Sequence, residues 1–188
     1  NAGIINIRLK KNKTYGANGS VSLGYNQGFY GKVNTGVNLN YRNQKVNLFG
    51  SYNYNNGKYR NKMDMYREQF DTSFETHNTM VFHNNTHSFK GGVDYFINQK
   101  STLGAMVTGN VANNDFNTSG PMYITFKPTN TLDRILRASN VNDMERKNIN
   151  TNLNYRYSVT GGSDLNIDAD YGTFRIRSNQ FQPNYYFH

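Results

Sequence analysis

The chain has 188 residues, a net charge of +9 and no cysteine. That length allows one domain, and the lack of cysteine removes disulfides and thiolate metal sites. No run of about 18 apolar residues exists, which excludes a transmembrane helix. The basic residues are scattered, apart from Arg8, Lys10, Lys11 and Lys13 and a group within 58–67, and match no nucleic-acid-binding module.

Hydrophobic residues make up 36% of the chain and aromatic residues 14%, all Tyr or Phe. Asparagine is about one residue in six, well above ordinary usage. A mean hydropathy of -0.82 would imply disorder in an unpatterned chain, but this chain is patterned throughout. Val21, Leu23 and Tyr25 alternate with Ser20, Ser22 and Gly24. Val33, Thr35, Val37, Leu39 and Tyr41 then alternate with Asn34, Gly36, Asn38, Asn40 and Arg42. Val46, Leu48, Gly50, Tyr52 and Tyr54 follow, against Asn47, Phe49, Ser51, Asn53 and Asn55. The same period returns at Phe89 to Ile97, at Leu103 to Val111, at Ile149 to Tyr157 opposite Asn150, Asn152, Asn154 and Arg156, and at Leu165 to Tyr171 opposite Asn166, Asp168 and Asp170. Successive strand residues point to opposite faces, so each stretch predicts a strand with one apolar and one amide face. Seven strands of roughly ten residues are expected, a length that suits membrane-crossing strands. Helical periodicity is nearly absent; residues 132–136 could wind one turn.

The connections are asymmetric. Tight turns are predicted at Asn43-Gln44, Asn98-Gln99-Lys100 and Gly161-Gly162-Ser163, rich in the residues such turns need. At the opposite ends the segments around 57–84 and 113–146 read as long polar and aromatic loops, and only the connection from Gln27 to Gly31 is short. Tyr41, Tyr95, Tyr155 and Tyr157 lie on the apolar stripes beside the tight turns, and Tyr25, Tyr52, Tyr54 and Tyr171 at their far ends. Two bands of amphipathic rings around an aliphatic belt are what two membrane–water interfaces favour. The expected fold is all-β, an antiparallel transmembrane β-barrel segment with valines toward lipid. The lumen wall is expected to carry Asn38, Asn40, Arg42, Asn47, Asn53, Asn150, Asn152, Asn154 and Arg156.

Candidate chemistry is sparse. His83 and His87 frame HNNTH, with His77 nearby, and a turn at 84–86 would bring two imidazoles together for a transition metal. The blander reading, solvated loop histidines, is preferred because no third ligand has suitable spacing. No cofactor or metal is assigned. Asp164, Asp168 and Asp170 line one strand face rather than an EF-hand. An outer-membrane hydrolase would need a His paired with an acid or nucleophile, and the sequence supplies no such pairing, so no enzyme activity is expected. Tyr59, Tyr66, Phe116, Tyr123 and Phe126, in the predicted loops, are candidates to stack on a sugar or peptide.

The first residues, Gly3-Ile4-Ile5-Asn6-Ile7-Arg8-Leu9-Lys10, resemble the closing strand of the plug domain in TonB-dependent outer-membrane receptors. The phrases GANGSVSLGYNQG, LNYRNQKVNLFGSYNY and GGVDYFINQKSTLGAMVTG resemble the first barrel hairpins of an Asn- and Tyr-rich branch of that family. The resemblance implies that residues 1–13 end the plug and residues 14–188 begin a barrel of about 22 strands. It also implies an outer-membrane location in a Gram-negative bacterium and uptake of a large nutrient. The implied partners are outer-membrane lipid, the rest of the same barrel and plug, TonB and a surface lipoprotein. No Met precedes Asn1 and no signal peptide is visible, which reads as an internal piece of something longer. The alternatives are a non-transporting barrel that scaffolds partner proteins and a small complete barrel of eight strands. The amide-rich wall, uncharged and able both to donate and to accept hydrogen bonds, suggests an oligosaccharide or peptide cargo.

Overall fold

The computed structural model describes residues 15–158 and 164–188. They form strands β1 (Gly16–Gln27), β2 (Gly31–Arg42), β3 (Val46–Gln69), β4 (Thr72–Phe96), β5 (Ser101–Phe126), β6 (Thr131–Ser158), β7 (Asp164–Phe181) and β8 (Asn184–Phe187). The first seven pair in chain order in one sheet, antiparallel throughout, and β8 continues beside β6. The all-β antiparallel class is therefore as expected, with seven long strands and a short eighth. The eighth arises where Pro183 cannot donate to the ladder: Ser139 N–H reaches the Pro183 carbonyl at 3.1 Å, and pairing resumes at Ala138 and Asn184. No helix occurs among the described residues, and 132–136 belongs to β6 instead. The expected plug strand at 1–13 and the turn at Gly161-Gly162-Ser163 lie outside the described residues.

The register aligns the two faces across the whole sheet. One continuous row runs Val21, Val37, Tyr52, Phe89, Gly109, Ile149 and Thr173. The adjacent row on the other face runs Ser20, Asn38, Ser51, Lys90, Thr108, Asn150 and Gly172. Gly109 in the apolar row makes room for its neighbour, since a Cβ there would lie 2.2 Å from the Phe89 ring. The sheet is a single layer, open between β1 and β7, and consistent with a β-barrel segment. Among the described residues only Ala112, Thr76, Ser101 and three glycines, Gly36, Gly104 and Gly109, are buried. Val21 and Leu23 are each 79% exposed, and Leu153 is 59% exposed. In a water-soluble domain those side chains would be packed in a core.

The strands are far longer than expected. β3, β4, β5 and β6 contain 24, 25, 26 and 28 residues, against the roughly 9–11 that cross a bilayer. The segments 57–84 and 113–146, expected as loops, are instead paired strand except at the two turns, 70–71 and 127–130. Alternation persists there with different chemistry, Lys58, Arg60 and Lys62 on one face and Tyr59, Asn61 and Met63 on the other. Each tip turns through a left-handed residue, Phe70 at φ 51° and Asn130 at φ 53°. The two tips are joined: Lys127 N–H donates to the Asp71 carbonyl at 2.7 Å, and Lys127 Nζ lies 2.6 Å from Glu68 Oε2.

At the opposite rim two identical Asn-Gln-Lys turns close the hairpins. Asn43 Oδ1 accepts from the backbone N–H groups of Lys45 and Val46, both at 2.8 Å. Asn98 Oδ1 does the same for Lys100 and Ser101, again at 2.8 Å. The Lys45 carbonyl then accepts from Phe96 N–H and the Lys100 carbonyl from Ser158 N–H, each at 2.8 Å, so each turn is tied to the next strand. An Asx side chain that replaces a backbone acceptor is the reason Asn leads such turns. Asn43→Ala and Asn98→Ala are each expected to cost about 0.5–2 kcal/mol, as for loss of a helix cap, in denaturant titrations of the folded protein. Asn55→Ala, which removes no side-chain bond, should stay within about 0.5 kcal/mol.

Candidate functional site

The amide face of the lengthened hairpins carries the best-formed cleft. Tyr59 of β3, Phe82 of β4 and Phe116 of β5 stand directly opposite one another in register. Their ring centroids are 4.6 Å and 4.5 Å apart, with interplanar angles of 8° and 39°. That spacing matches the distance between neighbouring strands, so the rings form a ladder across the sheet. Lys32 Nζ sits 5.6 Å from the Tyr59 ring centre at one end, and Asn142 of β6 lies opposite Phe116 at the other.

Toward the tight-turn rim the next rows are smaller. Asn84 faces Asn114 and then Met144, and one row further Thr86 faces Ala112 and then Arg146. A wall of three rings beside a row floored by the buried Ala112 creates a cleft of about 700 Å³. That is within the roughly 300–1,000 Å³ of small-molecule sites.

The stacking candidates are therefore divided. Tyr59 and Phe116 come together in this cleft, and Phe126 shares their face at the far end of β5. Tyr66 and Tyr123 lie on the opposite face. Tyr66 hydroxyl donates to Glu68 at 2.5 Å, and the Tyr123 ring is 6.1 Å from that of His77. All five lie on strands rather than loops. The sequence reading missed Phe82, Asn84, Asn114, Asn142 and Arg146. Their signal was the period of two continuing beyond residue 57, which the polar composition hid.

Nearer the tight turns the predicted wall residues do share one face, and several bond to each other. Asn40 Nδ2 donates to Asn47 Oδ1 at 3.1 Å, and Asn47 Nδ2 to Asp94 Oδ2 at 3.0 Å. Asn154 Nδ2 donates to Asn152 Oδ1 at 3.1 Å, and Asn152 Nδ2 to Asp170 Oδ1 at 2.8 Å. Asn38 Nδ2 reaches Ser20 Oγ at 3.3 Å. The Arg42 guanidinium lies 4.9 Å from the Phe96 ring centre, and Arg156 donates to Asp164 at 3.4 Å. Asn53 and Asn150 each crowd a glycine, Asn53 Oδ1 at 2.8 Å from a Cβ built on Gly36 and Asn150 Oδ1 at 2.6 Å from one built on Gly172. Much of this surface spends its amides on cross-strand bonds.

The histidines are placed differently from expectation. HNNTH makes no turn and lies within β4, so His83 and His87 are four strand residues apart and cannot share a metal. Each finds a partner on another strand. His87 Nδ1 is 2.7 Å from the Tyr52 hydroxyl, and His83 Nδ1 is 3.1 Å from Asp115. His77 lies between Asp64 at 2.9 Å and Glu75 at 3.1 Å. No group of three metal-ligating side chains occurs among the described residues. The His–acid pairs that sequence could not supply thus exist, made by registers that join residues 13 and 32 positions apart.

His77 lies beyond the aromatic band, toward the tip. The hydrogen bond that its ring N–H donates to Asp64 raises its pKa above the usual value near 6.5, desolvation opposes this, and the charges of Asp64 and Glu75 add to the rise. At the tip, Glu68 is held below the usual carboxylate value by its hydrogen bond from Lys127, with the Tyr66 hydroxyl adding to it. A raised histidine pKa stabilises the fold below the unfolded value of about 6.5, and that contribution is lost as pH rises through the folded value. In an NMR titration His77 is expected to have a midpoint above about 6.5. Asp64→Asn should lower that midpoint, and Asp115→Asn should leave it unchanged.

No family model matches this chain, and no curated protein does so either. Among solved structures, that of Pseudomonas aeruginosa OpdQ aligns at 9% identity over 91% of this chain and 90% of that chain, with a TM-score of 0.12. A score that low does not establish a shared fold.

Proposed function

We propose that this chain forms part of the wall of an outer-membrane β-barrel that takes up a large solute, with its apolar stripe toward lipid and its amide face toward an aqueous lumen. One observation carries the reading: a coreless single-layer sheet exposes Val21, Leu23, Leu39, Leu153 and Ile167 on one face and sets Asn38, Asn150 and Ser51 on the other. Exposed apolar surface on that scale needs a partner, and aromatic rings at both ends of the stripe make lipid the fitting one.

The free edges of β1 and β7 favour a larger closed barrel over a small complete one. An unpaired edge in hydrocarbon leaves backbone groups unsatisfied at several kcal/mol each. The GIINI opening and the hairpin phrases support a TonB-dependent receptor, with a plug occupying the lumen and energy drawn from the inner membrane. The paired hairpins beyond the stripe would then stand outside the membrane, where a surface lipoprotein partner and the cargo first meet the receptor.

The test compares the two faces. Val37→Arg and Leu153→Arg should each cost roughly 2–4 kcal/mol on folding into vesicles, because a cation is driven into hydrocarbon. Asn38→Arg and Asn152→Arg should cost much less. Equal costs on both faces would remove the membrane-wall reading.

A further inference from the structure

Resting on the membrane-wall reading, we infer that the cleft beneath the Tyr59–Phe82–Phe116 ladder is a binding site for a neutral oligosaccharide. The pocket joins two kinds of surface that sugar chains need together. The ladder gives an apolar wall for the C–H groups of a pyranose ring, and its ring edges carry positive partial charge that suits hydroxyl oxygens. The rows beside it give amides whose bonding to the protein is incomplete. Asn84 Oδ1 accepts from Thr86, which leaves its amide N–H groups unused. Asn142 Oδ1 accepts from Ser178, leaving its N–H groups likewise. Asn110 Nδ2 donates to Ser88, leaving its carbonyl oxygen. Asn114 makes no side-chain bond of its own and lines the same cleft. A hydroxyl both donates and accepts, and this set offers both functions within one cleft.

The competing occupants fit less well. The acid at the cleft margin, Asp115, is engaged by His83 at 3.1 Å, so no unpaired carboxylate draws in a cation. Arg146 is the one lining cation outside an ion pair among the described residues, and its Nε lies against Met144 Sδ at 3.3 Å. A lone guanidinium is a weak match for a highly charged anion, which recruits several. An extended peptide would seek unpaired backbone at a sheet edge, whereas β3 to β6 are interior strands with both neighbours in place.

The test uses the full-length protein in detergent and isothermal titration with maltohexaose, cellohexaose and xylohexaose, beside an uncharged hexapeptide. At least one hexasaccharide should bind, and Phe116→Ala should weaken it by roughly tenfold, the loss expected for one packed aromatic contact. Asn114→Ala, which leaves the ring ladder untouched, should also weaken it, while Asn55→Ala should not. Circular dichroism of each variant verifies that the sheet is retained. Binding of none of the three saccharides, binding of the hexapeptide alone, or affinity unchanged in both cleft variants would overturn the assignment. Partition of the same preparation into vesicles separates the two claims. A protein that inserts but binds no sugar refutes this site alone, and one that fails to insert refutes the membrane reading.

Discussion

A sheet one layer thick has no interior, and every other property of this molecule follows from that. Its cohesion comes from the backbone ladder, because Ala112 is the single buried apolar side chain among the described residues. Each face must therefore be stabilised by whatever solvent or neighbour meets it. The apolar row from Val21 to Ile149 and the polar row from Ser20 to Asn150 are one residue apart along the same strands. A slip of one position would exchange them entirely. Register is accordingly fixed at both ends, by the Asn43 and Asn98 turns at one rim and by the Lys127 contacts with Asp71 and Glu68 at the other.

The length of β3 to β6 gives the sheet two zones with different chemistry. Nearest the tight turns the apolar face is aliphatic between tyrosines, and the amides of the other face bond to one another, as in Asn40–Asn47–Asp94. Farther along, the face that continues the apolar stripe becomes ionic, with His77 held by Asp64 and Glu75 and His83 by Asp115. The amide face gathers Tyr59, Phe82 and Phe116. The hairpins hold together beyond the stripe because hydrogen bonds and cross-strand pairs continue where aliphatic side chains stop.

That second zone can present a concave surface rigidly. A binding site carried on loops would order its side chains only when the ligand arrives. Here Tyr59, Phe82 and Phe116 are aligned by the same register that aligns the amide rows below them. The depression beside them exists because small residues, Thr86 and Ala112, follow the large ones in the next rows.

Much of the architecture could be read from residues alone. A period of two with Val, Leu and Ile against Asn makes a strand two-faced wherever it lies, and Asn-Gln-Lys turns close hairpins through contacts within four residues. The strand class, the seven long strands and the identity of both faces in 20–55 and 89–111 are local properties of that kind. The reach of β3 to β6 was not legible, because in 57–84 and 113–146 both alternating sets are polar or mixed and no longer form an apolar face and an amide face. Only pairing with a neighbour reveals those segments as strand, and pairing is a long-range fact. The same holds for the site. Nothing near Tyr59 indicates that Phe82 and Phe116 will stand beside it, nor near His83 that Asp115 will meet it. Those partners are chosen by hairpin registers that sum over dozens of residues, so sequence determined the faces and tertiary pairing decided which side chains share them.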